Sequence, residues 1–128
     1  MAKLTQEMKD MLAQLTPASV ATASKDGIPN VVAIGSINAL DDEHLLFATI
    51  FTVKTLRNLQ ENPKIAIDVI DGKNFKGYQF KGTAELLNQG PIYENVVQQI
   101  EKMPMRLPKP QNAVKIKIEE IFNLAPGS

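Results

Sequence analysis

Residues 54–71, "KTLRNLQENPKIAIDVID", change period halfway along. Val53, Leu56 and Leu59 recur three residues apart, on roughly one face of a helix over 53–61. Asn62-Pro63 stops that helix, because the residue before a proline is driven out of helical backbone. Beyond the proline Ile65, Ile67 and Val69 alternate along the chain, the period of a strand with one face buried. Asp71-Gly72 then turns the chain, and residues 76–87 continue as a strand with Tyr78, Phe80, Gly82, Ala84 and Leu86 on one face. Strands joined by turns this short pair antiparallel, since a parallel crossover needs a dozen residues or more.

The same periods extend outward. Leu4, Met8, Met11, Leu12 and Leu15 mark an amphipathic helix over 5–15, and Ile92, Val96 and Ile100 mark another over about 90–102. Strands are expected at Ala18–Ser24, Asn30–Leu40 and His44–Ile50, and Val114, Ile116 and Ile118 alternate in a last one. "PMRLPKP" at 104–110 shows neither period and reads as a proline-stiffened loop. The sum is a mainly β, α+β chain: six antiparallel strands with two to three flanking helices, in a single domain over 1–128. Closing such a sheet into a small barrel removes exposed edges.

Composition narrows the function classes. Fourteen basic and 14 acidic side chains cancel, which argues against a nucleic-acid surface. No apolar run approaches the roughly 20 residues that span a bilayer, and a soluble cytoplasmic protein is expected. With no cysteine and one histidine, thiolate chemistry and a histidine metal cluster are excluded, and no metal site is expected. His44 beside Asp41, Asp42 and Glu43 reads as a solvated turn. Catalytic residues stay unassigned, so an enzyme built on this chain takes its chemistry from a cofactor.

Two stretches could hold one. The hydroxyls of Thr49, Thr52 and Thr55 and the ammonium of Lys54 cluster where a strand meets a helix. Free amides and the positive dipole end of that helix suit a phosphate monoester. An ordinary threonine cap with a solvated lysine fits the same residues. Val32, Ala33 and Ile34 lead into Gly35-Ser36 inside an apolar strand. Such a glycine marks either the close approach of a flat ligand or a bulge.

Taken in order, "ATASKDGIPNVVAIG" at 21–35, "KTLRNLQENPKIAIDVID" at 54–71 and "GYQFKGTAEL" at 77–86 resemble the FMN-binding split barrels related to pyridoxamine 5'-phosphate oxidase. The resemblance covers about 100 residues from Ala18 onward and is strongest to the short FMN-binding members. It implies a six-stranded split barrel that forms a homodimer, with flavin sites at the subunit interface. A small open barrel of this composition has sheet surface to cover, so that interface is expected to be apolar and to bury on the order of 2,000 Å² or more. The strand matching Val31–Ser36 would lie along the flavin ring through its backbone. Thr52, Lys54 and Thr55 would hold the phosphate, Asn58 would support the helix start or touch the ribityl chain, and Thr49 would face the site. Residues near Tyr78-Gln79 and the loop 104–110 would reach over from the partner chain.

The resemblance departs at the end: the arginine- and histidine-bearing extension that grips the substrate in true pyridoxamine phosphate oxidases has no match after Ile121. The expectation is therefore an FMN-dependent oxidoreductase, flavin-reductase-like or otherwise related to pyridoxamine 5'-phosphate oxidase. A non-catalytic electron carrier or flavin store, and a deazaflavin-dependent reductase, are the alternatives.

Overall fold

The computed structural model describes residues 2–127. Three helices, α1 (Gln6–Gln14), α2 (Val53–Glu61) and α3 (Pro91–Glu101), accompany seven strands: β1 (Ala18–Ala23), β2 (Pro29–Ile34), β3 (Asn38–Ala39), β4 (His44–Thr49), β5 (Lys64–Asp71), β6 (Lys76–Leu87) and β7 (Asn112–Asn123). All pairings are antiparallel, in the order β2-β1-β5-β6-β7-β4-β3. The expected six strands become seven because the segment Asn30–Leu40 breaks at Gly35–Ile37, and its two halves pair at opposite ends of the sheet.

That break forces the sheet to curl. A flat sheet of seven strands at about 4.8 Å spacing would hold its edges about 29 Å apart. Three linking residues between β2 and β3 can span only about 14 Å. The edges must therefore approach one another, giving an incompletely closed barrel consistent with the expected split barrel. A bulge between Lys81 and Gly82 helps, since β6 and β7 change register there and bulged strands bend. Gly82 is obligatory at that point: a Cβ on it would lie 2.0 Å from the Lys117 carbonyl oxygen.

The concave face holds the main core, with Leu12, Val20, Phe47, Ile67, Phe80 and Ile116 all nearly inaccessible. Helix α1 lays Met8, Met11 and Leu12 into it. Thr5 closes the start of α1, accepting from the Met8 N–H in a capping box. Strand β4 is buried on both faces, which explains its unbroken apolar run. Leu45 and Phe47 face the main core, while Leu46 and Ala48 pack with Tyr93, Val96 and Ile100 of α3. Helix α2 buries Thr55, Leu56, Asn58 and Leu59. Val53, expected on that face, is 69% exposed instead, because the buried stripe starts one turn later.

Candidate functional site

A cavity of about 370 Å³ opens where the sheet is split, within the range of small-molecule sites. One wall is the end of β2 and its bend, Ala33–Ser36; another is Ala48 and Ile50 at the end of β4, with Phe51 and Thr52 leading into α2. Ile100 of α3 and Met103, Met105 and Leu107 of the following loop complete it. No wall residue is ionisable, so the cavity offers a ligand shape, apolar contact and main-chain groups. The Ser36 hydroxyl accepts from the Ala48 N–H at 3.1 Å, pinning the bend to β4. Gly35 has nothing within 4 Å of the place where a Cβ would sit, so this wall leaves open space.

The hydroxyls expected to act together part company. Thr49 is committed within the sheet: its hydroxyl donates to the Asn112 carbonyl at 3.2 Å and accepts from the Asn112 N–H at 2.9 Å. Thr52 stands on the cavity wall at the N-cap of α2, yet makes no side-chain cap hydrogen bond. Its Oγ1 is buried without a partner, and so is that of Thr55, which is 0% exposed. The contrast with Thr5 on α1 counts against reading Thr52 as an ordinary cap. Unpaired buried hydroxyls cost about 1–3 kcal/mol each, so this helix start holds donor capacity in reserve.

Lys54 and Asn58 line a neighbouring cavity of about 330 Å³ together with Ser24, Ile28, Val53, Arg57 and Glu61. Asn58 Nδ2 donates to Thr22 Oγ1 at 3.0 Å, tying α2 to β1. Arg57 was legible as a partner of Lys54, being three residues further along the helix and on the same side. Val32 lies half-buried against the main core and not on the cavity wall. The structure thus brings Ala33, Ile34, Gly35, Ser36 and Thr52 to one cavity and Lys54 and Asn58 to the next, and leaves Val32, Thr49 and Thr55 on neither wall.

The acidic turn lies on neither wall. Asp41 meets the His44 Nδ1 at 2.8 Å. Its pKa feels burial upward, but the Glu43 N–H and the His44 ring outweigh that and hold it below the usual value. Glu43 is held low by Lys117, and Asp42 pairs with Lys9. Among the described residues no cluster of three or more histidine, cysteine or acidic side chains could hold a metal. No helix among them is long and apolar enough to cross a membrane.

A split, curled antiparallel sheet with an uncharged cavity at the split defines a class, and the chain belongs to it: the pyridoxamine 5'-phosphate oxidase family matches residues 4–125. An uncharacterized protein of Methanocaldococcus jannaschii is 44% identical over 98% of this chain and 83% of its own length. HupZ of Group A Streptococcus is 34% identical, with a TM-score of 0.87 over 98% of this chain and 97% of that one. Two solved structures share the fold alone. An FMN-binding protein of Syntrophomonas wolfei has a TM-score of 0.69 at 17% identity, covering 94% of this chain and 90% of its own. The heme storage protein HutZ of Vibrio cholerae has 0.71 at 19%, covering 94% of each.

Proposed function

We propose that the protein is an FMN-binding flavoprotein that acts as an FMN-dependent oxidoreductase of flavin-reductase type, in a homodimer whose partner covers the open side of each site. One observation carries the reading: the cavity joins open space at Gly35 to an unpartnered hydroxyl at Thr52. A flat ring needs the first and a phosphate-bearing tail needs the second. Bound FMN would supply the electron-transfer chemistry. The chain's part is to bind and orient. The Ala33–Ser36 backbone would read the ring edge, Thr52 and the α2 amides would donate to the phosphate, and Lys54 and Arg57 would add charge nearby. Thr55 and Asn58 would support that helix start, and the uncharged wall would keep water from the ring.

Two further readings follow from the relatives and the fold. A deazaflavin carries a longer acidic tail and calls for more cations than Lys54 and Arg57, which share their cavity with Glu61. A heme would want an axial ligand, and the larger cavity's wall offers only the thioethers of Met103 and Met105, with no histidine, cysteine or tyrosine. FMN remains the better fit. Titrating the purified protein with FMN, deazaflavin and hemin, each followed by its visible spectrum, separates the three. The proposal predicts FMN tightest and bleaching of bound FMN by NAD(P)H. Bound but unbleached flavin would make the protein a carrier or store. A monomer in sedimentation at micromolar concentration would remove half the site's walls and count against the flavin reading.

A further inference from the structure

The chain between α3 and β7 shows no period in the sequence, yet the fold gives it one. Met103, Met105 and Leu107 line the larger cavity, while Pro104, Arg106 and Pro108 between them do not and are exposed. The strap is tied at both ends. The Met103 N–H donates to Ile100 at 3.2 Å, and the Tyr93 hydroxyl donates to the buried Pro110 carbonyl at 2.7 Å. Among the described residues, 104–108 make no hydrogen bond, so the middle can lift without breaking any. The two methionines are 43% and 65% exposed, whereas Met8 and Met11 are each 8% exposed in the main core.

We propose that this strap is an oxidation-sensitive cover: hydrogen peroxide converts Met103 and Met105 to sulfoxides and so weakens the cavity's hold on a flat apolar ring. The proposal rests on the flavin reading for its source of oxidant. Flavin bound here would supply that oxidant, since the reaction of its reduced form with dioxygen, two electrons and two protons passing to oxygen, yields hydrogen peroxide. The thioether sulfur then attacks one peroxide oxygen and the O–O bond breaks. Sulfur is oxidised by two electrons, and the other oxygen leaves as water. The product side chain is polar and chiral where the apolar wall was flexible and polarisable. A strap without hydrogen bonds has no partner to offer the new S=O group, so closing it over a ring leaves that group unpaired. The cost is about tenfold in affinity.

The test uses the full-length protein, flavin-free, treated with dilute hydrogen peroxide. Oxygen uptake is mapped by peptide mass spectrometry, and FMN and the apolar dye anilinonaphthalene sulfonate are titrated by fluorescence before and after. Met103 and Met105 should oxidise first with Met8 and Met11 untouched, and both probes should bind about tenfold more weakly at an unchanged Tm. The Met103→Leu, Met105→Leu double variant keeps side-chain volume and should bind both probes normally and resist peroxide. Equal oxidation of Met8, Met11, Met103 and Met105, undiminished binding after oxidation, or the same loss in the double variant would each overturn the proposal. Untreated protein that binds the dye but not FMN would refute the flavin reading, and the dye titration would still decide the strap.

Discussion

Thr52→Val should move stability and binding in opposite directions. The Thr52 hydroxyl is buried, has no partner and does not cap α2. Valine keeps the shape and removes the unpaired group, so the flavin-free protein should be unchanged or gain up to about 1 kcal/mol. For a chain of this size that is about 3–5 °C in Tm. In the complex the same hydroxyl would donate to an anionic phosphate oxygen, worth about 1.5–3 kcal/mol. FMN affinity should therefore fall about 10- to 150-fold, with riboflavin binding nearly untouched because riboflavin has no phosphate. Thr52→Ser, which keeps the hydroxyl, should bind FMN as the wild type does. Scanning calorimetry without flavin and parallel fluorescence titrations of FMN and riboflavin give both numbers. A lower Tm together with unchanged FMN affinity would refute the reasoning, since it would show a hydroxyl that caps the helix and never meets a ligand.

Gly35→Val has room in the flavin-free protein and should shift stability by no more than about 0.5 kcal/mol, yet weaken FMN by about 10- to 100-fold by filling the ring's space; titration beside a thermal melt checks both. Gly82→Ala should do the reverse, costing about 3 kcal/mol in urea unfolding because its Cβ meets the Lys117 carbonyl at 2.0 Å and the bulged ladder cannot yield. Lys54→Ala should cost FMN about tenfold, diminishing with added salt, and leave riboflavin unaffected. Glu7, bonded by the Tyr78 hydroxyl and near Lys76, and Glu43, bonded by Lys117, both have pKa values lowered by folding. Their contribution is complete above the ordinary glutamate pKa and disappears as pH falls through the lower folded values. A Glu7→Gln, Glu43→Gln variant should therefore show a shallower loss of Tm on acidification.

Local signals were legible where a period decides structure. The helix-to-strand handover at Asn62-Pro63, the three helices and the antiparallel hairpins all follow from spacing. What sequence could not show depends on partners far along the chain. Thr49 and Thr52 look alike in the sequence. Asn112 lies across from Thr49 in the sheet and occupies its hydroxyl, while no residue does so for Thr52. The run Asn30–Leu40 reads as one strand because its apolar residues continue through Gly35-Ser36. Only the sheet order reveals that the two halves belong to opposite edges. The strap's alternation was hidden by prolines, which satisfy no sheet ladder and mask the side-chain rhythm.

The break at Gly35–Ile37 links these observations. A sheet whose first and last strands are consecutive in the chain must nearly close, and the linking residues then sit where closure fails. At that place the backbone is least committed to a ladder, so its N–H and C=O groups remain free to meet a ring. A glycine there adds space without straining the fold, since no neighbour stands within 4 Å of a Cβ at Gly35. The end of β4 arrives at the same gap and runs directly into α2, which brings a helix N-terminus beside the apolar wall. One topological feature therefore supplies the curl and the open cavity, and sets donors for an anion beside them. A residue inserted between Ile34 and Asn38 should loosen that coupling: the barrel could still form, but Ser36 would lose its hold on the Ala48 N–H and the ring wall would move away from Thr52. FMN binding lost in a cooperatively folding insertion variant is the expected result, and unimpaired binding would show that the split does not set the site.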